Sequence, residues 1–87
     1  MADEFDLEEV YDAEIAPLMS QIIEICKRRE MPMIASFCFR HREDGDDFCT
    51  TLLPRSDWQS PVFSRAYQEI RSQPGFFAFT VHEGKSR

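Results

Sequence analysis

Two runs of aromatic and β-branched residues, 32–42 and 47–53, flank the polar tetrad Glu43-Asp44-Gly45-Asp46. An Asp-Gly pair between such runs marks a hairpin, because the turn takes positive φ and Gly adopts it without steric cost. With Asp44-Gly45 as the two-residue turn, Phe39 falls opposite Thr50 and Phe37 opposite Leu52. Alternation then directs Met33, Ala35, Phe37, Phe39, Phe48 and Leu52 to one face. Ile34, Ser36, Cys38, Arg40, Cys49, Thr51 and Leu53 take the other. The first set reads as a core face. The second is more apolar than a free surface requires and less apolar than a core.

On either side of the hairpin the apolar spacing is helical. Leu18, Ile22, Ile25, Cys26 and Arg29 form one stripe, widened by Met19 and Ile23, and predict an amphipathic helix over 13–30. Asp12 suits the N-cap, Glu14 the first turn and Lys27-Arg28-Arg29 the last, where cations complement the helix dipole. Pro17 falls near the first turn, where a missing N–H costs little, and Met31-Pro32 ends the helix. Residues 54–60 read as a loop. Ser60-Pro61 then caps a second helix whose buried stripe is Val62, Phe63, Ala66, Tyr67 and Ile70, with Pro74-Gly75 as its stop. Residues 76–82 read as a third strand and 83–87 as a polar tail. The expected fold is α+β, in the order α-β-β-α-β: a single small domain with a three-stranded antiparallel sheet and two helices on one face.

Charge divides the chain. The net charge is −6, and residues 1–14 hold seven acids and no base, whereas the rest holds nine acids and ten bases. Residues 1–12 therefore read as an acidic leader and 13–87 as the domain. Leu7, Val10 and Tyr11 would share one face of a helical turn in that leader. A counterion-releasing nucleic-acid binder is basic overall or along one face, so no direct nucleic-acid partner is expected. No apolar run approaches the length of a membrane span, the start is too acidic for a signal peptide, and three cysteines at irregular spacing suit a reducing compartment. A cytoplasmic location without membrane contact is expected.

Chemistry-bearing residues are sparse. Cys38, His41 and Cys49 share the hairpin, but a zinc site needs about four converging ligands, and alternation sets His41 apart from the two thiols. The three glycines, Gly45, Gly75 and Gly84, stand at turns or ends and build no phosphate cradle. No electropositive pocket is placed beside a thiol to activate it. Asp44, Asp46 and Asp47 belong to the turn, where short acids hydrogen-bond locally. Neither enzymatic activity nor a cofactor or metal is expected. Arg40, Arg42 and Arg55 are interleaved with acids that would pair with them. Trp58, the single tryptophan, sits in the loop and is of a type that dominates interface energetics.

Ile25-Cys26 ahead of a Met31-Pro32-Met33 helix exit, an aromatic strand with Phe37, and then Phe48-Cys49-Thr50-Thr51 resemble small uncharacterised proteins encoded by bacteriophages and prophages. The resemblance spans about residues 15–53 and brings no catalytic or binding motif. It implies a bacterial cytoplasmic setting and an accessory role, such as modulation of a host protein.

The expected function is a non-enzymatic protein-binding module that modulates a host protein and works as a homo-oligomer, most simply a homodimer. Its expected interface is the outer sheet face with the loop: Ile34, Cys38, Cys49, Thr51, Leu53 and Trp58. The alternative is a nucleic-acid mimic, in which the acidic leader blocks a host nucleic-acid-binding protein.

Overall fold

The structure, a computed structural model, describes residues 3–73 and 77–81. Four strands, β1 (Phe5–Asp6), β2 (Met33–Arg42), β3 (Gly45–Leu53) and β4 (Phe77–Val81), lie side by side in chain order. The helical segments are α1 (Glu8–Val10), a π-helical stretch Tyr11–Ile15, α2 (Ala16–Arg29) and α3 (Pro61–Arg71). The chain is thus a small single α+β domain, with a three-stranded antiparallel sheet and helices, as the residue pattern predicts. Its antiparallel strands are β1, β2 and β3, and β4 joins β3 in parallel. The strand expected over 76–82 is this β4, parallel where an antiparallel strand is expected, and the third antiparallel strand is β1 from the expected leader. A β-helix-β crossover returns the chain to the end of the sheet where the preceding strand began, so the second strand runs the same way as the first. The expected Pro74-Gly75 stop, Phe76, His82 and the 83–87 tail lie outside the described residues.

Within the residues read as an acidic leader, Phe5 pairs with His41 and Asp6 with Arg40, and the helix opens at Glu8 rather than Ala13. The N–H of Leu7 donates to the Phe39 carbonyl at 2.7 Å and carries the pairing one residue further. Asp12 therefore sits inside the helical run instead of capping it. In a regular helix the Pro17 ring would collide with the carbonyl four residues back. The turn just before it is widened: the Ala16 N–H reaches back to the Tyr11 carbonyl.

The helix ends at Glu30, which adopts φ 57° and ψ 45°. This is the left-handed C-terminal conformation that glycine usually supplies. It is held by Met31 N–H donating to the Cys26 carbonyl at 2.9 Å and by Arg55 Nη1 donating to the Glu30 carbonyl at 3.0 Å. The cap of α3 is as the sequence reads, with the Phe63 N–H donating to Ser60 Oγ at 3.2 Å and Pro61 in the first helical position, but Val62, read as part of the buried stripe, is exposed.

The hairpin register differs from expectation. Arg42 pairs with Gly45, so the turn is Glu43-Asp44, and Gly45 spends its freedom at φ 152° as the first residue of β3. Phe37 faces Cys49, not Leu52, a three-residue shift. An odd shift turns every β3 side chain to the other face. Met33, Ala35 and Phe37 therefore share a face with Cys49, Thr51 and Leu53. Ile34, Ser36 and Cys38 share the opposite face with Phe48, Thr50 and Leu52. A bulge between Cys38 and Arg40 absorbs one residue, after which Arg40 opposes Asp47 and His41 opposes Asp46.

The helical run covers the first of these faces. The Tyr11 ring lies 5.4 Å from Phe37 and 6.4 Å from Phe39, centre to centre. Among the described residues, Met19, Cys26, Phe39, Leu52, Leu53 and Tyr67 are the buried apolar ones. Met19, Ile23 and Cys26 are the inward stripe of α2, half-buried at Ile23. Leu18, Ile22 and Ile25, read from the sequence as core, are exposed.

Candidate interaction surface

The residues expected to form one outer interface do not lie together. Ile34 and Cys38 occupy one sheet face, Cys49, Thr51 and Leu53 the other, because the register differs by an odd number. Leu53 is 1% exposed and Thr51 is buried; the Cys49 thiol donates to Tyr11 Oη at 3.3 Å. Three of the six are therefore taken up by the chain's own packing. Cys38 is exposed and Ile34 half-buried. Trp58 is exposed in a loop tied to the end of α2. There Ser56 Oγ donates to Glu30 Oε1 at 2.8 Å, and Arg55 Nε donates to Asp57 Oδ1 at 2.8 Å and holds that carboxyl below the usual range.

The bulge also redistributes the thiols and imidazoles. It returns His41 to the face of Cys38 and leaves Cys49 on the other. His41 Nδ1 lies 2.6 Å from Asp46 Oδ1, and its ring stacks obliquely on Phe5 at 5.9 Å. Burial and the nearby Asp46 charge push the Cys38 thiol up, away from the thiolate a nucleophile needs. Among the described residues no three His, Cys, Asp or Glu side chains converge as metal ligands do, and no helix is long and apolar enough to cross a membrane.

A charge cluster stitches the N-terminal strand to the hairpin. Asp47, 1% exposed, receives Arg42 through Nη1 at 2.8 Å and Nη2 at 3.1 Å, and it also pairs with Arg40. Arg40 reaches on to Asp6, Nε to Oδ2 at 3.2 Å, and to Glu8. Glu4 accepts the Glu43 N–H at 2.8 Å. The Glu8 N–H and the Arg40 guanidinium hold the Asp6 carboxyl below its usual value. Asp47 and Asp6 raise Arg40, and Asp47 raises Arg42, so both cations are committed to internal acids. This cluster is a clasp; the sequence shows its hairpin members as interleaved charges and Glu4, Asp6 and Glu8 as part of an acidic leader.

Among the described residues, exposed large apolar side chains occur at Phe5, Leu7, Trp58 and Val62, but the set aligned on one element is the outward flank of α2. Leu18 is 56% exposed, Ile22 45% and Ile25 48%. They repeat at intervals of four and three residues and so form one line along the helix. Val10 is exposed ahead of them and Met31 beyond the helix end. Glu14 stands one turn before Leu18 and Arg29 one turn after Ile25, both exposed. Scattered apolar residues are ordinary on a surface, whereas these three line one flank of a single helix. Comparison with protein-family models, curated protein sequences and solved structures finds no match to this chain.

Proposed function

We propose that the chain is a small acidic, non-enzymatic protein-binding module, a phage or prophage accessory protein that modulates a host protein and acts as a homo-oligomer. The observation that carries this reading is the exposed line Leu18–Ile22–Ile25 on a helix whose other flank already serves the core. A domain of this length buries a modest core, and association supplies what that core lacks. Among the described residues the hairpin's polar groups are turned to one another. The arginines of the hairpin are bound to acids, and burial and the nearby Asp46 charge push the Cys38 thiol up. Light scattering at micromolar concentration tests the reading: twice the mass of one chain is expected, and a strict monomer would overturn self-association.

A second reading is a nucleic-acid mimic. Glu9, Asp12 and Glu14 stand exposed along the first helical turns, while Asp6 and Glu8 are spent on Arg40. Removing residues 1–12 would also remove β1 and α1, so the discriminating variant is E9Q/D12N. Under mimicry it abolishes capture of DNA-binding proteins from bacterial lysate and leaves the fold intact. Unchanged capture excludes it.

A further inference from the structure

The line along α2, extended back to Glu14 in the π-helical stretch, has a symmetry of its own. Read from either end it runs charge, aliphatic, aliphatic, aliphatic, charge: Glu14, Leu18, Ile22, Ile25, Arg29. The two charges are opposite. Glu14 and Arg29 lie equally far from the centre of the line, and so do Leu18 and Ile25.

We infer that the occupant of this surface is a second copy of the chain, its α2 packed antiparallel against the first about a two-fold axis near Ile22. In that arrangement Leu18 meets the partner's Ile25, Ile22 lies beside the partner's Ile22, and Glu14 stands opposite the partner's Arg29. Each contact occurs twice, as an isologous interface requires. A parallel pairing would set Glu14 against Glu14 and Arg29 against Arg29, and like charges facing each other across an interface weaken it.

Charge along the whole helical run favours the same choice. Glu9, Asp12 and Glu14 stand exposed at one end and Lys27, Arg28 and Arg29 at the other, with Glu24 the one acid within α2. Antiparallel association brings the acidic end of each copy to the basic end of its mate, and the helix dipoles oppose as well. The inward stripe, Met19–Ile23–Cys26, follows the outward line by one residue at every position. On a helix that is a rotation of about 100°, so one flank packs on the sheet while the other is presented whole to a mate.

The inference rests on the reading of the chain as self-associating, and the experiment separates the two. Wild type, I22D, E14R, R29E and E14R/R29E are compared by sedimentation equilibrium, with far-UV circular dichroism to verify the fold. Wild-type dimer, monomeric I22D, a dissociation constant raised about tenfold or more in E14R and in R29E, and recovery in E14R/R29E support the antiparallel helix pair. A dimer indifferent to I22D and to both charge reversals overturns the helix pairing but leaves self-association standing. A monomeric wild type overturns both.

Discussion

Arg42 grips Asp47 across the hairpin through two nitrogens, at 2.8 and 3.1 Å, and the carboxylate so held is almost wholly shut off from water. A two-point grip on a buried carboxylate fixes strand register as well as charge. Asp47→Asn keeps the shape and removes the charge, leaving Arg40 and Arg42 facing an uncharged amide. A loss of about 3 kcal/mol is expected in urea denaturation. A loss below about 1 kcal/mol would remove the clasp's claim to hold the hairpin.

Asp6 ties β1 to Arg40, and its carboxyl is held below the ordinary value of 3.8. A group depressed in the folded state lends stability above its unfolded pKa and loses it as pH falls through the folded one. Acidification below about pH 4 therefore loosens the N-terminal strand first. The measurement is amide exchange at Leu7, whose N–H donates to the Phe39 carbonyl. Exchange at Leu7 should lose protection at a higher pH than the β2–β3 amides, and Asp6→Asn should show the loosened state at neutral pH. Equal protection throughout would contradict it.

Tyr11 links the helical run to the sheet, its ring on Phe37 and Phe39 and its oxygen accepting from Cys49. Burial and the neighbouring Cys49 raise the phenol from 10.0 to about 12. A raised group gives stability that is intact below the unfolded pKa and drains as pH climbs through the folded one. Stability should fall between pH 10 and about 12. Tyr11→Phe retains the ring and drops the ionisation. It should cost about 1 kcal/mol at neutral pH and show a flatter alkaline decline than wild type. An identical decline would assign the effect to other groups.

Glu30 occupies left-handed backbone space at φ 57°, where a side chain costs about 1 kcal/mol relative to glycine. Its carboxylate accepts from Ser56 at an exposed site, which contributes less. Glu30→Gly should therefore raise the melting temperature by a few degrees, roughly what a gain of about 0.5–1 kcal/mol produces in a domain of this size. A lowered melting temperature would show that the tether to the Trp58 loop outweighs the backbone strain.

The local elements were legible in the chain. Ser60-Pro61 announces α3, Met31-Pro32 ends α2, and the paired aromatic runs announce β2 and β3, because capping, proline sterics and turn chemistry act over a few residues. The helical line Leu18–Ile22–Ile25 is legible too, but its period alone reads as core, whereas all three residues are exposed. Periodicity shows that a helix has an apolar arc. It cannot say which flank of a wide arc the sheet will cover.

What the tertiary structure decided was non-local. A bulge at β2 and a turn at Glu43-Asp44 instead of Asp44-Gly45 moved the register by an odd number. That move carried Cys49, Thr51 and Leu53 to the face opposite Ile34 and Cys38. The partner of β1 depended on Arg40 reaching Asp6 and Glu8 from more than thirty residues away. The direction of β4 followed from the crossover through α3. Side-chain period is a property of each strand alone, whereas register, strand order and the exposed flank of a helix are set by contacts between segments distant in sequence. Only the assembled sheet could make that choice.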